Sequence, residues 1–74
     1  MTMRVLVDDA PTVLARLALL LSRAEVELTA LTVRRVEGAP LRLLVVELDA
    51  SAAQVEQLRR RLVKLINVVE VAAA

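Results

Sequence analysis

The chain has no cysteine, no histidine and no aromatic residue, and carries one glycine and two prolines in 74 positions. Without cysteine there are no disulfides and no thiolate metal ligands. Without histidine, the commonest nitrogen ligand and the side chain that titrates near neutral pH are also missing. Neither tight zinc binding nor catalysis is therefore expected, and Thr12, Ser22, Thr29, Thr32 and Ser51 have no His or Cys to activate them. Asp8 and Asp9 are adjacent at a strand end, point in different directions and lack a third ligand, so no metal site is expected there. The lack of aromatics removes the platforms on which nucleic-acid-binding sheets stack bases. The run Arg59, Arg60, Arg61 and Lys64 is accordingly read as a solvated helix face, or as a dock for an acidic protein surface, and no nucleic-acid partner is expected. Long apolar runs are missing as well: 17–21 and 43–46 fall far short of the ~18 residues of a membrane span. The net charge is only +1 and the N-terminus has neither the basic flank nor the apolar core of a secretory signal, so the expected location is the cytoplasm.

What is present is largely apolar, 58% of residues. A chain of this length makes one small domain, expected over residues 1–74, whose single core buries a modest share of its surface, so oligomerisation would help it. Residues 3–7 alternate as a first strand, with Val5 and Val7 on one face and Arg4 and Leu6 on the other. From Pro11 to about Arg23 the period becomes helical. Leu14, Leu17, Ala18 and Leu21 form the expected core stripe, Val13 and Leu20 lie beside it, and Leu19 lies nearly opposite.

Residues 26–36 read as a long second strand, with Val26, Leu28, Ala30 and Thr32 on one face and Glu27, Thr29, Leu31 and Val33 on the other. Glu37-Gly38-Ala39-Pro40 supplies a hairpin turn in which Gly38 can take positive φ. Residues 41–49 return as a third strand, apolar on both faces and therefore central. Ser51 and Gln54 make a capping-box start for a second helix to about Lys64, with Val55, Leu58, Leu62 and Leu65 at helical spacing. A fourth strand over 66–72 sets Ile66 and Val68 against Val69 and Val71. The order βαββαβ predicts an α+β ferredoxin-like sandwich, one antiparallel four-stranded sheet with both helices on one face. Strands apolar on both sides then require that the open face or an edge strand be covered, which implies a dimer or larger assembly. Arg34 and Arg35 read as charges that discourage further strand addition.

The chain is organised around the elbow from Val5 to Arg16. A strand runs into Asp8 and Asp9, and Pro11 then opens a helix. The first amides of that helix, at Thr12, Val13 and Leu14, can attract a carboxylate. Alternatively Asp9 caps the helix with its own side chain.

Val-Leu-Val-Asp-Asp-Ala-Pro-Thr-Val-Leu-Ala-Arg resembles the opening of ACT domains, small-molecule sensors of amino-acid metabolism. Leu28-Thr29-Ala30-Leu31-Thr32-Val33 is similar to the Ile-x-Ser-Leu-Thr-Val of the small regulatory subunit of acetohydroxyacid synthase (acetolactate synthase). Residues 62–71, Leu-Val-Lys-Leu-Ile-Asn-Val-Val-Glu-Val, resemble that family's Leu-x-Lys-Leu-Val-Asp-Val-x-x-Val.

The resemblance implies a homodimer through strand two and helix one, which would use Val13, Leu20, Leu28, Ala30 and Thr32. It also implies an effector site at that interface for valine or a related amino acid. Its residues would be Asp9, Thr12 and Val13 from one copy and Glu27 and Leu28 from the other. Thr12 stands where the family has Gly, and Asp9 and Glu27 where it has Asn. A branched Cβ and two carboxylates there imply a weakened or altered site. The family's small subunits usually carry a further domain. This chain looks more like short, single-domain members that retain activation of a catalytic subunit. The resemblance implies no cofactor here, since thiamine diphosphate, magnesium and flavin belong to the catalytic large subunit. Two other roles stay open: a free-standing amino-acid-binding module regulating another enzyme, and a purely structural dimerisation domain.

Overall fold

A computed structural model describes residues 1–73; Ala74, the last residue of the expected domain, lies outside the described residues. The elements are β1 (Thr2–Asp8), α1 (Pro11–Arg23), β2 (Glu27–Arg35), β3 (Leu41–Asp49), α2 (Ala52–Val63) and β4 (Val68–Ala73). They form one four-stranded sheet in the order β2-β3-β1-β4, with every neighbouring pair antiparallel. This is the βαββαβ ferredoxin-like sandwich read from the pattern, with β3 central as its two apolar faces require.

The core is shared evenly. Met3, Val5 and Val7 of β1 and Leu44, Val46 and Leu48 of β3 meet Val13, Leu17 and Leu21 of α1 and Val55, Leu58 and Leu62 of α2, all buried. Alternate strand residues thus pack against helix residues spaced three or four apart. The Ser51 hydroxyl accepts the Gln54 amide at 3.2 Å while the Gln54 side chain accepts the Ser51 amide at 2.9 Å, the reciprocal start expected for α2. Gly38 has φ +76° in the β2–β3 turn, closed by the Val36 amide donating to the Leu41 carbonyl at 3.1 Å.

Two β-bulges alter the expected faces. Leu28 pairs with Leu48 and Ala30 with Glu47, so Thr29 is an extra residue, and its hydroxyl donates to the Glu47 carbonyl at 3.0 Å. Beyond this bulge the alternation is reversed. Leu28 therefore shares the helix-side face with Leu31 and Val33, while Ala30 and Thr32 face the open side with Glu47 and Val45. In β4 the register shift between Leu6 and Val7 leaves Val69 as the extra residue, 57% exposed, and places Val68 and Val71 on the same face. Ile66 does not begin this strand as expected. It sits in the turn after α2, 97% exposed, where the Leu65 amide bonds to the Leu62 carbonyl and the Val68 amide to the Leu65 carbonyl.

The rotation of α1 is also a correction. Val13 belongs to the core stripe, and Ala18 is exposed. Leu20 and Arg16 line a groove with Arg61 and Lys64, so that flank of α1 faces α2. Leu14 lies on the other flank, lining a hollow with Leu44 and Arg42 of β3. The side chains of Val13 and Leu20 are therefore turned away from β2. On the β2 side of α1 stand Leu14 and, one turn on, Ala18.

Candidate functional site

At the elbow, the residue capping α1 is Ala10, in extended conformation (φ −116°, ψ 134°), and no side chain caps the helix. Asp9 does not fold back onto the helix amides. Its carboxylate pairs with the Arg42 guanidinium on β3, and its amide donates to the Pro40 carbonyl at 2.9 Å. The neighbouring Asp8 is fastened to the opposite side: its amide donates to the Asn67 carbonyl at 2.9 Å, and the Asn67 side-chain amide donates to its carboxylate at 3.4 Å. The two acids thus diverge, as alternation demands, and bind the elbow to the β2–β3 turn on one side and to the entry of β4 on the other.

The Val13 amide donates to the Ala10 carbonyl at 3.0 Å, so the helix end satisfies that donor itself. Beneath the elbow Val7, Asp8, Ala10, Leu14, Arg42 and Leu44 enclose a hollow of about 270 Å³. Its lining is mostly apolar, with one acid, Asp8, and one cation, Arg42. That can accept a small apolar side chain beside a charged group.

The other half of the expected effector site lies elsewhere in the same chain. Glu27 pairs with Asp49 and Leu28 with Leu48 at the far end of β3, whereas Arg42 and Leu41 at its start lie beside Val7 and Asp8. Eight residues of strand at ~3.3 Å each separate the two ends by about 26 Å. Asp9, Thr12 and Val13 are brought together at the elbow, but Glu27 and Leu28 are not joined to them within one copy.

β2 is an edge strand, and its apolar residues are incompletely covered: Leu28, Leu31 and Val33 are 41%, 38% and 37% exposed on the side where the helices lie. With Leu14 and Ala18 they make an apolar margin along one side of the molecule. The expectation of strand two at this margin named Leu28, Ala30 and Thr32. The bulge at Thr29 leaves only Leu28 of these on the helix side and adds Leu31 and Val33. Arg42 could not have been singled out, because its pairing with Asp9 joins residues 33 positions apart. Among the described residues there is no group of three or more His, Cys, Asp or Glu able to hold a metal ion. No described helix is long and apolar enough to cross a membrane.

The AHAS small subunit-like ACT domain model matches residues 3–70. The chain belongs to this family. Its ACT domain is 39% identical over 70 residues to the acetolactate synthase small subunit of Mycobacterium leprae, covering 95% of this chain and 41% of that protein. It is 34% identical over 70 residues to the small subunit of Mycolicibacterium smegmatis, again covering 95% of this chain and 41% of the relative. The ACT domain thus spans about two-fifths of the length of the curated relatives it matches. The acetolactate synthase small subunit of Thermotoga maritima superposes with a TM-score of 0.87 at 28% identity, over 96% of this chain and 44% of that one. The ACT domain from the GTP pyrophosphokinase of Chlorobium tepidum superposes with a TM-score of 0.77 at 11% identity, over 96% and 91% of the two chains, and so shares the fold alone.

Proposed function

We infer that this ACT domain is a non-catalytic regulatory element of an acetolactate synthase-type enzyme, working as a homodimer joined through β2 and the adjacent flank of α1. The observation that carries the reading is the family match over residues 3–70. The uncovered margin of Leu28, Leu31 and Val33 beside Leu14 supports the manner of pairing. Antiparallel pairing of two β2 edges sets the start of one strand, Glu27 and Leu28, beside the end of the other, Arg34 and Arg35. Arg35 is in register with Arg42, next to the α1 elbow. A two-fold axis of this kind therefore joins the two half-sites that a single copy holds about 26 Å apart.

In such a site the α1 end would face the carboxylate of an amino acid and the start of the partner's β2 its ammonium. Asp9 would not repel the ligand as strongly as an unpaired acid, since Arg42 already balances it. Thr12, exposed at the first turn, narrows the approach that a glycine would leave open. The effector response is accordingly weak or altered, and activation of a thiamine-dependent catalytic large subunit is the retained role. Co-purification of the chain with such a large subunit tests this. Stable association supports the reading, and failure to associate, with micromolar binding of one amino acid, would replace it by a free-standing sensor. Calorimetry with valine on the natural chain and on Thr12→Gly should give tighter binding for the variant.

A further inference from the structure

Along the outer surfaces of α1 and α2 runs an open groove of about 410 Å³, lined by Leu19 and Leu20 together with Arg16, Arg23, Arg61 and Lys64. All four cations are exposed. Among the described residues none of them is in an ion pair. α1 contains no acid, and the only acid of α2, Glu56, is held on the opposite flank by Arg59 and Arg60. Structure thus divides the basic run of α2 in two, a half paired with Glu56 and a half that joins cations from α1. Glu25 lines an adjoining hollow beyond the Arg23 end. At the other end the groove continues into a hollow that shares Arg16 and Lys64 and includes the fully exposed Ile66. Four like charges gathered around exposed leucine and isoleucine repel one another and leave apolar surface in water, so neither feature helps this chain fold alone.

We propose that this groove docks an acidic amphipathic helix of a partner protein, with apolar anchors on Leu19, Leu20 and Ile66 and carboxylates between the four cations. α1 has 13 residues, a track of about 20 Å, which accommodates some four turns of a second helix. Charge selects the occupant. A second copy related by a two-fold axis would set the same cations against themselves. A nucleic acid would find no aromatic side chain on which to stack. The groove lies on the α2 side of α1, away from β2, so its occupation neither needs nor blocks pairing of the β2 edges, and the inference is independent of the regulatory reading.

The test is an NMR titration of the whole chain with a synthetic peptide of about 14 residues, leucines at helical i, i+3, i+4 and i+7 spacing and glutamates flanking them. Binding should shift amides in 16–23 and 61–66. Replacing the peptide's glutamates by lysines should weaken binding at least about ten-fold, as should the double reversal Arg16→Glu with Lys64→Glu in the protein. Both protein positions are exposed, and far-UV circular dichroism checks that the variant folds. The proposal is overturned by the absence of binding, by shifts confined to the β2 margin, or by equal affinity for the acidic and basic peptides. Binding of phosphatidylserine vesicles by a chain that ignores the peptide would overturn it too.

Discussion

Replacing Leu31 by glutamate should separate two copies of this domain without unfolding either. Leu28, Leu31 and Val33 keep 41%, 38% and 37% of their surface in water. Complete burial of such a side chain is worth ~1.5–3 kcal/mol, so covering the remaining two-fifths contributes about 0.6–1.2 kcal/mol per residue. Summed over both copies, these three positions supply on the order of 4–7 kcal/mol to a two-fold interface. Leu31→Glu forfeits about 1 kcal/mol per copy and pushes a carboxylate into a contact with no cation provided for it. A total loss of about 3–4 kcal/mol is a modest reckoning, equivalent to a ~100- to 1,000-fold rise in the dimer dissociation constant. Because Leu31 lies at the margin of the single chain, the monomer's own stability should move by only about 0.5 kcal/mol. Sedimentation equilibrium over a range of concentrations reads the first quantity, and thermal melting under dilute conditions reads the second. An unchanged dissociation constant in the variant, or a natural chain that stays monomeric at high micromolar concentration, would refute pairing through β2.

Gly38→Ala should cost about 1–2 kcal/mol, because φ +76° is unfavourable for an L side chain although no atom lies within 4 Å of the added Cβ; chemical denaturation measures it. Ser51→Ala removes the hydroxyl that accepts the Gln54 amide and should lower stability by about 1 kcal/mol, or roughly 4–8 °C in melting temperature for a domain of this size. The Glu56 carboxylate accepts two hydrogen bonds from Arg59, at 2.7 and 2.9 Å, and with Arg60 beside it its pKa falls from 4.5 to about 2. A lowered folded pKa means that the pair stabilises the fold above pH 4.5 and that this contribution is lost as pH falls towards 2. Melting temperatures of Glu56→Gln should therefore fall less steeply over that interval than those of the natural chain, and parallel curves would contradict the assignment.

Where burial alternates regularly, the sequence was easily read. Met3, Val5 and Val7 and then Leu44, Val46 and Leu48 alternate without interruption, and the change to helical spacing at Pro11 and at Ser51 marks both helices. A bulge, by contrast, leaves no trace in composition: Leu28-Thr29-Ala30 reads as unbroken alternation, and only the pairing with Leu48 and Glu47 shows the extra residue. The rotation of α1 was hidden for a different reason. Its apolar arc is wide enough that Val13 and Leu14 are equally good candidates for the core, and contact with β3 and α2 decides between them. Ile66 continues the apolar run into β4 in sequence, but α2 ends without a glycine and spends residues 64–67 in turning back to the sheet. The candidate site was legible as an elbow and as the start of a strand. That Asp9 is claimed by Arg42, and that the two half-sites stand far apart in one copy, depends on long-range pairing that no local pattern encodes.

The most direct test of the account is the rate of acetolactate formation by a thiamine-dependent large subunit as this domain is titrated into it. A saturable rise is predicted, displaced to much higher concentration for Leu31→Glu in step with its weakened pairing. An enzyme whose rate stays level at saturating domain, or rises identically with both forms, would contradict a regulatory dimer built on β2.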